Sequence, residues 1–248
     1  MIGRSAVVPH APALLAGVRP DILQTHSLRR AVGALEFADA DCVVIVSSHG
    51  TWAGVYERPQ GSLDDFGMGP IAVTARGDDE LARDLKRAWG RPFLDGPADF
   101  GVCVPLLLGL ARDRPVVGVA LPEATGPGAH PLDEVLGASE ELAGVLELAG
   151  RTKDIAVVAS AHSSAGLSPR APLTEVPGAA ELHSEMVRAL AGDPFQARTA
   201  LMELGRAEAA CGVGPLSLLT QLCRDWSCLS LRSESVFGVG YLVGEWAA

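Results

Sequence analysis

Three of the six histidines stand where an apolar run hands over to a polar turn. Ala6-Val7-Val8 leads into Pro9-His10-Ala11-Pro12. The run that starts at Cys42 leads into Ser47-Ser48-His49-Gly50. Ile155–Ser160 leads into Ala161-His162-Ser163-Ser164. Short unbroken runs rich in β-branched residues read as strands buried on both faces. In open α/β sheets ligands bind beyond the carboxyl ends of such strands. If the three strands share one sheet, His10, His49 and His162 face one edge. Two imidazoles and one carboxylate on three corners of an octahedron hold Fe(II) and leave the opposite positions open. His10 and His49 are the candidate imidazoles. Glu234, at the junction of two strand-like stretches, is the candidate carboxylate. Cys228 is the other conceivable third donor, and a thiolate there would favour a softer metal. His26, His130 and His183 fall in helical or loop contexts and read as exposed or structural.

The elements that must position these residues alternate along the chain. Helices are expected at about 20–37, 78–89, 102–111, 131–149, 178–191 and 194–204. A further helical stretch, 206–223, is broken at Gly212-Val213-Gly214-Pro215. Strands are expected at 6–8, 42–48, 71–73, 116–121, 155–160, 228–232 and 236–243. The helix at 78–89 is the clearest. Asp78 can cap it, Asp79 and Glu80 fall in its first turn, Lys86 and Arg87 in its last, and Gly90 stops it. Residues 50–69 form a long connection rich in glycine and carry Trp52, Tyr56 and Phe66, which could wall a pocket next to His49. Strands alternating with helices predict one α/β domain over 1–248, with a mostly parallel or mixed central sheet flanked by helices on both faces.

Composition narrows the function classes. A formal net charge of −10 argues against a nucleic-acid partner, which needs a basic footprint, and against docking on anionic membranes. No apolar run approaches the ~20 residues of a membrane helix, and the first residues lack the apolar core of a signal peptide. Five cysteines at 42, 103, 211, 223 and 228 match no zinc pattern, so reduced thiols in the cytoplasm are expected.

The segments PHAPALLAGV, VVIVSSHG, VVASAHSS, AEAACGVGPLSLLTQL and VFGVGYLVGEW occur in this order. In that order the chain resembles the class III extradiol ring-cleavage dioxygenases. The similarity is to their catalytic B-subunit (LigB-like) domain and to its Memo-like relatives, and it spans essentially the whole chain. The resemblance implies a single α/β domain that holds Fe(II) through two histidines and a glutamate, here His10, His49 and Glu234. It also implies a catechol-type small-molecule substrate. Where many relatives carry Asp-His-Gly, this chain has Asp99-Phe100-Gly101. Where they carry a histidine at the end of a Ser/Gly-Asp-Leu-Ser-His segment, it has Ala165, with His162 three residues earlier. A ring-cleaving oxidoreductase with an altered acid–base shell is therefore the first expectation, with His162 taking the acid–base role from its shifted position and Trp52, Tyr56, Phe66 and Phe100 against the substrate. The alternatives are a Memo-like binding or metal-handling protein and a metal-dependent hydrolase, with another divalent metal or none. Relatives are often oligomeric, so a homo-oligomer is also expected, although no stretch identifies an interface.

Overall fold

The apolar runs that carry the histidines become neighbouring strands of one sheet. The computed structural model describes residues 1–248 except 17, 19–22, 51, 70, 127 and 173, and except the side chain at 24. In chain order the strands are β1 (Ile2–Val8), β2 (Cys42–Gly50), β3 (Gly54–Tyr56), β4 (Gln60–Ser62), β5 (Ala72–Thr74), β6 (Val116–Pro122), β7 (Ile155–Ser160), β8 (His162–Ser164), β9 (Ser227–Val236) and β10 (Val239–Ala247). The helices are α1 (Leu23–Gly33), α2 (Asp79–Trp89), α3 (Phe100–Leu107), α4 (Leu132–Ala149), α5 (Ala179–Ala191), α6 (Ala197–Arg206) and α7 (Val213–Leu222).

The main sheet runs β3-β6-β2-β7-β1-β10-β8, with β9 on the far side of β10. β6, β2, β7 and β1 are parallel; β3 and the C-terminal strands are antiparallel additions. β4 and β5 form a separate two-stranded sheet. The side-chain period of two sorts the central strands onto two cores. Cys42, Val44 and Val46 face a core built with α2, α4, α5, α6 and α7, and Val43 and Ile45 face one built with α1 and α3. Both faces are therefore covered, which is why these runs are apolar without alternation.

Local signals act where they were read. The Asp78 carboxylate accepts from the Leu81 amide at 3.0 Å, and Gly90 closes α2 at φ 69°. Elsewhere boundaries move. α3 begins at Phe100, before the expected 102, because Asp99 caps it, accepting from the Gly101 and Val102 amides. Within the 50–69 connection lie β3, β4 and a 3₁₀ turn at Asp64–Phe66. The junction expected around Glu234 is instead continuous strand. The hairpin turns at Phe237-Gly238, both at positive φ (52° and 74°), as a two-residue type I′ turn requires. The start of the helix expected at 20–37 lies outside the described residues. Among those residues no helix is long and apolar enough to cross a membrane.

Candidate metal centre

Adjacency in the sheet gathers the histidines. β2, β7 and β1 are consecutive neighbours, so their carboxyl ends lie one interstrand spacing apart, about 4.8 Å. Beyond those ends stand His49, His162 and His10. The Nε2 atoms of His10 and His49 are 3.0 Å apart. The His10 and His162 rings lie 4.0 Å apart between centroids. A fourth donor comes from much further along the chain. Cys211 Sγ is 3.8 Å from His10 Nε2, and the donor atoms of His10, His162 and Cys211 all lie within 4.8 Å of one another.

Each donor is held from behind. The Ser160 hydroxyl donates to the Gly101 carbonyl, so it can only accept from His10 Nδ1, at 3.1 Å. His10 therefore carries its proton on Nδ1 and turns the Nε2 lone pair inward. His49 places Nδ1 3.4 Å from a Glu123 carboxylate oxygen and lies stacked on Phe100, 4.1 Å between centroids. Cys211 precedes α7, whose first residues pack on the β7–β8 turn. At Gly212 a β-carbon would stand 2.5 Å from the His162 carbonyl, so only glycine lets the helix start this close to His162. His162 has Tyr241 edge-on at 5.0 Å, and its Nε2 is buried without a hydrogen-bond partner among the described residues.

Charge is arranged to match. Burial, followed by the neighbouring His162, lowers His10 to about 3, so it is neutral. Burial also opposes charge on His49, but Cys211 and Glu123 outweigh it and raise His49 to about 10. Burial alone would raise the Cys211 thiol. The neighbouring imidazoles of His10, His162 and His49 outweigh this and bring it well below its ordinary value, and the amino end of α7 adds in the same direction. The other buried thiols, Cys42, Cys103 and Cys223, are pushed up to about 12 by burial. Cys211 is thus the buried thiol whose surroundings push it down instead of up.

Glu234 is not part of this group. It sits within β9 opposite Tyr241, and Tyr241 in turn faces His162 on β8. β10 therefore lies between Glu234 and His162, which puts their backbones two interstrand spacings apart, about 10 Å. Glu234 makes no hydrogen bond or ion pair with the four donors. Cys228 is further along the same edge strand. A triad of two histidines and one carboxylate thus does not match the donors that converge, because a cysteine sulfur joins the imidazoles. Two participants went unread in the sequence. Glu123 follows β6 as the histidines follow their strands. Cys211 lies within the AEAACGVGP segment, just ahead of a helix start, and that placement was the available signal.

The four aromatics proposed as substrate contacts do gather. Trp52, Tyr56, Phe66 and Phe100 line one cleft of about 650 Å³ together with His49, Asp64, Asp65 and Asp99. Asp99 ties its wall together, accepting from the Ser47 hydroxyl at 2.6 Å and from Tyr56 at 3.3 Å. Phe100 packs against His49 and Phe66 and has no proton to transfer. Ala165 is buried, its amide bonded to the Ala209 carbonyl. Of the histidines read as exposed or structural, His183 is structural. It bridges Ser163 at 2.8 Å and Ser233 at 3.1 Å.

No family model matches the chain, and no curated protein matches it. Among solved structures, the crystal structure of the uncharacterized protein JW3007 from Escherichia coli K12 is similar. It is 18% identical, with a TM-score of 0.65 over 98% of this chain and 99% of that one. At this identity the likeness establishes the α/β fold and nothing about activity.

Proposed function

We propose that the protein binds a thiophilic cation, of which Zn(II) and Cu(I) are the representatives, through His10, His49, His162 and Cys211. The carrying observation is the donor set itself: a stabilised thiolate, two inward imidazole nitrogens fixed from behind, and a third imidazole whose buried Nε2 has no partner among the described residues. An unsatisfied buried polar atom costs about 1–3 kcal/mol, and a cation would remove that cost. A tetrahedral ion with bonds of about 2.0–2.1 Å to nitrogen and 2.3 Å to sulfur separates its donors by roughly 3.3–3.6 Å. The spacings here, 3.0 Å, 3.8 Å and up to 4.8 Å, reach that arrangement through small side-chain shifts.

Four protein donors fill a tetrahedral ion, which leaves no position for dioxygen or a reactive water. The reading is therefore a metal-handling protein, the Memo-like alternative, with His49 at the cleft floor as the route of exchange. A ring-cleaving reading draws support from the aromatic walls, which suit a planar ring, but it lacks a carboxylate donor.

Competition titrations with Zn(II), Cu(I) and anaerobic Fe(II), followed by oxygen uptake with a panel of catechols, test the proposal. Tight binding of one equivalent of Zn(II) or Cu(I), weak Fe(II) and no catechol-dependent uptake are expected. Tight Fe(II) with catechol-dependent oxygen consumption would overturn it.

A further inference from the structure

We infer that the outer edge of β9 is a self-association surface, on which a second copy of this chain pairs antiparallel about a two-fold axis at Ser233. β9 is the last strand beyond β10, and among the described residues its outer side receives no backbone hydrogen bond. Unpaired strand edges of this kind template pairing with another chain. The bulge beside Trp246 falls near the start of the strand and leaves Ser230 to Val236 in regular register.

The hairpin decides which groups point outward. Val236 and Val239 close a two-residue turn, so they exchange hydrogen bonds, and the pattern alternates from there. Arg232, Glu234 and Val236 direct their backbone groups at β10. Leu231, Ser233 and Ser235 direct theirs outward. An antiparallel copy centred on Ser233 then pairs Ser233 with itself and Leu231 with Ser235, which satisfies every outward group in that stretch.

The side chains fit the same register. Arg232 falls opposite Glu234 of the second copy, twice by symmetry, in non-hydrogen-bonded pairs where side chains are closest. Neither residue has an ion-pair partner among the described residues, and Arg232 donates only to the Ser27 hydroxyl. Leu229 and Phe237 flank the strand at four residues on either side of Ser233. They are 51% and 47% exposed, and the same symmetry brings each towards the other on the second copy. An edge that matches itself in charge, hydrogen bonding and apolar ends fits a homodimer better than an unrelated extended peptide. The interface is small, so micromolar or weaker association is expected.

Sedimentation equilibrium on the full chain, up to several hundred micromolar, tests this. Wild type is expected to show a concentration-dependent dimer. Arg232→Glu sets two carboxylates against each other across the axis, and Glu234→Arg sets two guanidinium groups together, so each should weaken the dimer by about ten- to thirty-fold. The double exchange should restore it, and an equimolar mixture of the two single variants should form the heterodimer. Ser235→Pro removes an outward amide that the monomer does not use and should also abolish pairing. Ser27→Ala, which removes the hydroxyl that accepts from Arg232, should dimerise normally, and circular dichroism checks that each variant is folded. A wild type that stays monomeric, including one that binds only foreign extended peptides, overturns the inference. So do single exchanges that dimerise as wild type does.

Discussion

Replacing Cys211 with serine separates the two sets of metal donors most cleanly. The change keeps the shape of the side chain and removes the thiolate that stands 3.8 Å from His10 Nε2. Sites of four cysteine and histidine donors bind zinc with apparent free energies of about 10–16 kcal/mol. One donor's share is then about 2.5–4 kcal/mol, which corresponds to a weakening of roughly 10²–10³-fold. A chromophoric chelator competing for Zn(II) measures this directly. Loading with Co(II) gives a second readout, because a thiolate ligand adds an intense near-ultraviolet charge-transfer band that imidazole and carboxylate do not. Wild type should show the band, and Cys211→Ser should lose it. Glu234→Gln should bind as wild type does, because Glu234 lies across β10 from His162. A Cys211→Ser protein that keeps its affinity within about three-fold, or a Glu234→Gln protein that loses the metal, would refute the reasoning and restore the carboxylate triad.

Ser160→Ala removes the acceptor that fixes His10 Nδ1 and should weaken Zn(II) by about 10–100-fold in the same titration; unchanged affinity would show that His10 is oriented by other contacts. Asp99→Ala removes the α3 cap together with the bonds from Ser47 and Tyr56, and urea unfolding should show a loss of about 2–3 kcal/mol. Gly212→Ala drives a β-carbon against the His162 carbonyl and should lower both unfolding stability, by about 1–3 kcal/mol, and metal affinity; a variant unchanged in both would mean α7 can retreat without disturbing the centre. The chelator-treated protein should lose stability as pH falls below about 6.5. His10, lowered to about 3 by burial, and His183, also lowered by burial, are neutral when folded, so their contribution is complete above about pH 6.5 and is lost as pH falls below it. His49 is raised to about 10 while Cys211 is lowered well below its ordinary value, so above about pH 6.5 the proton His49 keeps is matched by the one Cys211 has lost, and the two contributions offset each other up to the range in which a free thiol ionises. Unfolding free energy should therefore fall by roughly 2–3 kcal/mol between about pH 6.5 and pH 4. Equal stability at the two pH values would contradict these assignments.

The parts of the site that were legible in sequence are those set by local rules. The unbroken runs ending at Val8, Val46 and Ser160 announce buried strands, because a strand covered on both faces has no polar side. The residues just past them, His10, His49 and His162, inherit a shared edge once the strands are parallel. Trp52, Tyr56 and Phe66 were readable as wall residues because they follow His49 directly along the chain. The turn at Phe237-Gly238 was misplaced because phenylalanine is an unusual residue at positive φ. That error put Glu234 at a junction when it lies in mid-strand.

The amino-acid sequence by itself determined the α/β class, the covered sheet and three imidazoles at strand ends, since each follows from periodicity and chain punctuation. Only the tertiary structure decided what joins them. Cys211 lies 201 residues from His10, and it reaches the cluster because α7 packs onto the β7–β8 turn through a glycine that admits no side chain. Glu234 is kept out by one intervening strand. Both facts depend on which strands become neighbours, and strand order is fixed by long-range packing that no local spacing records.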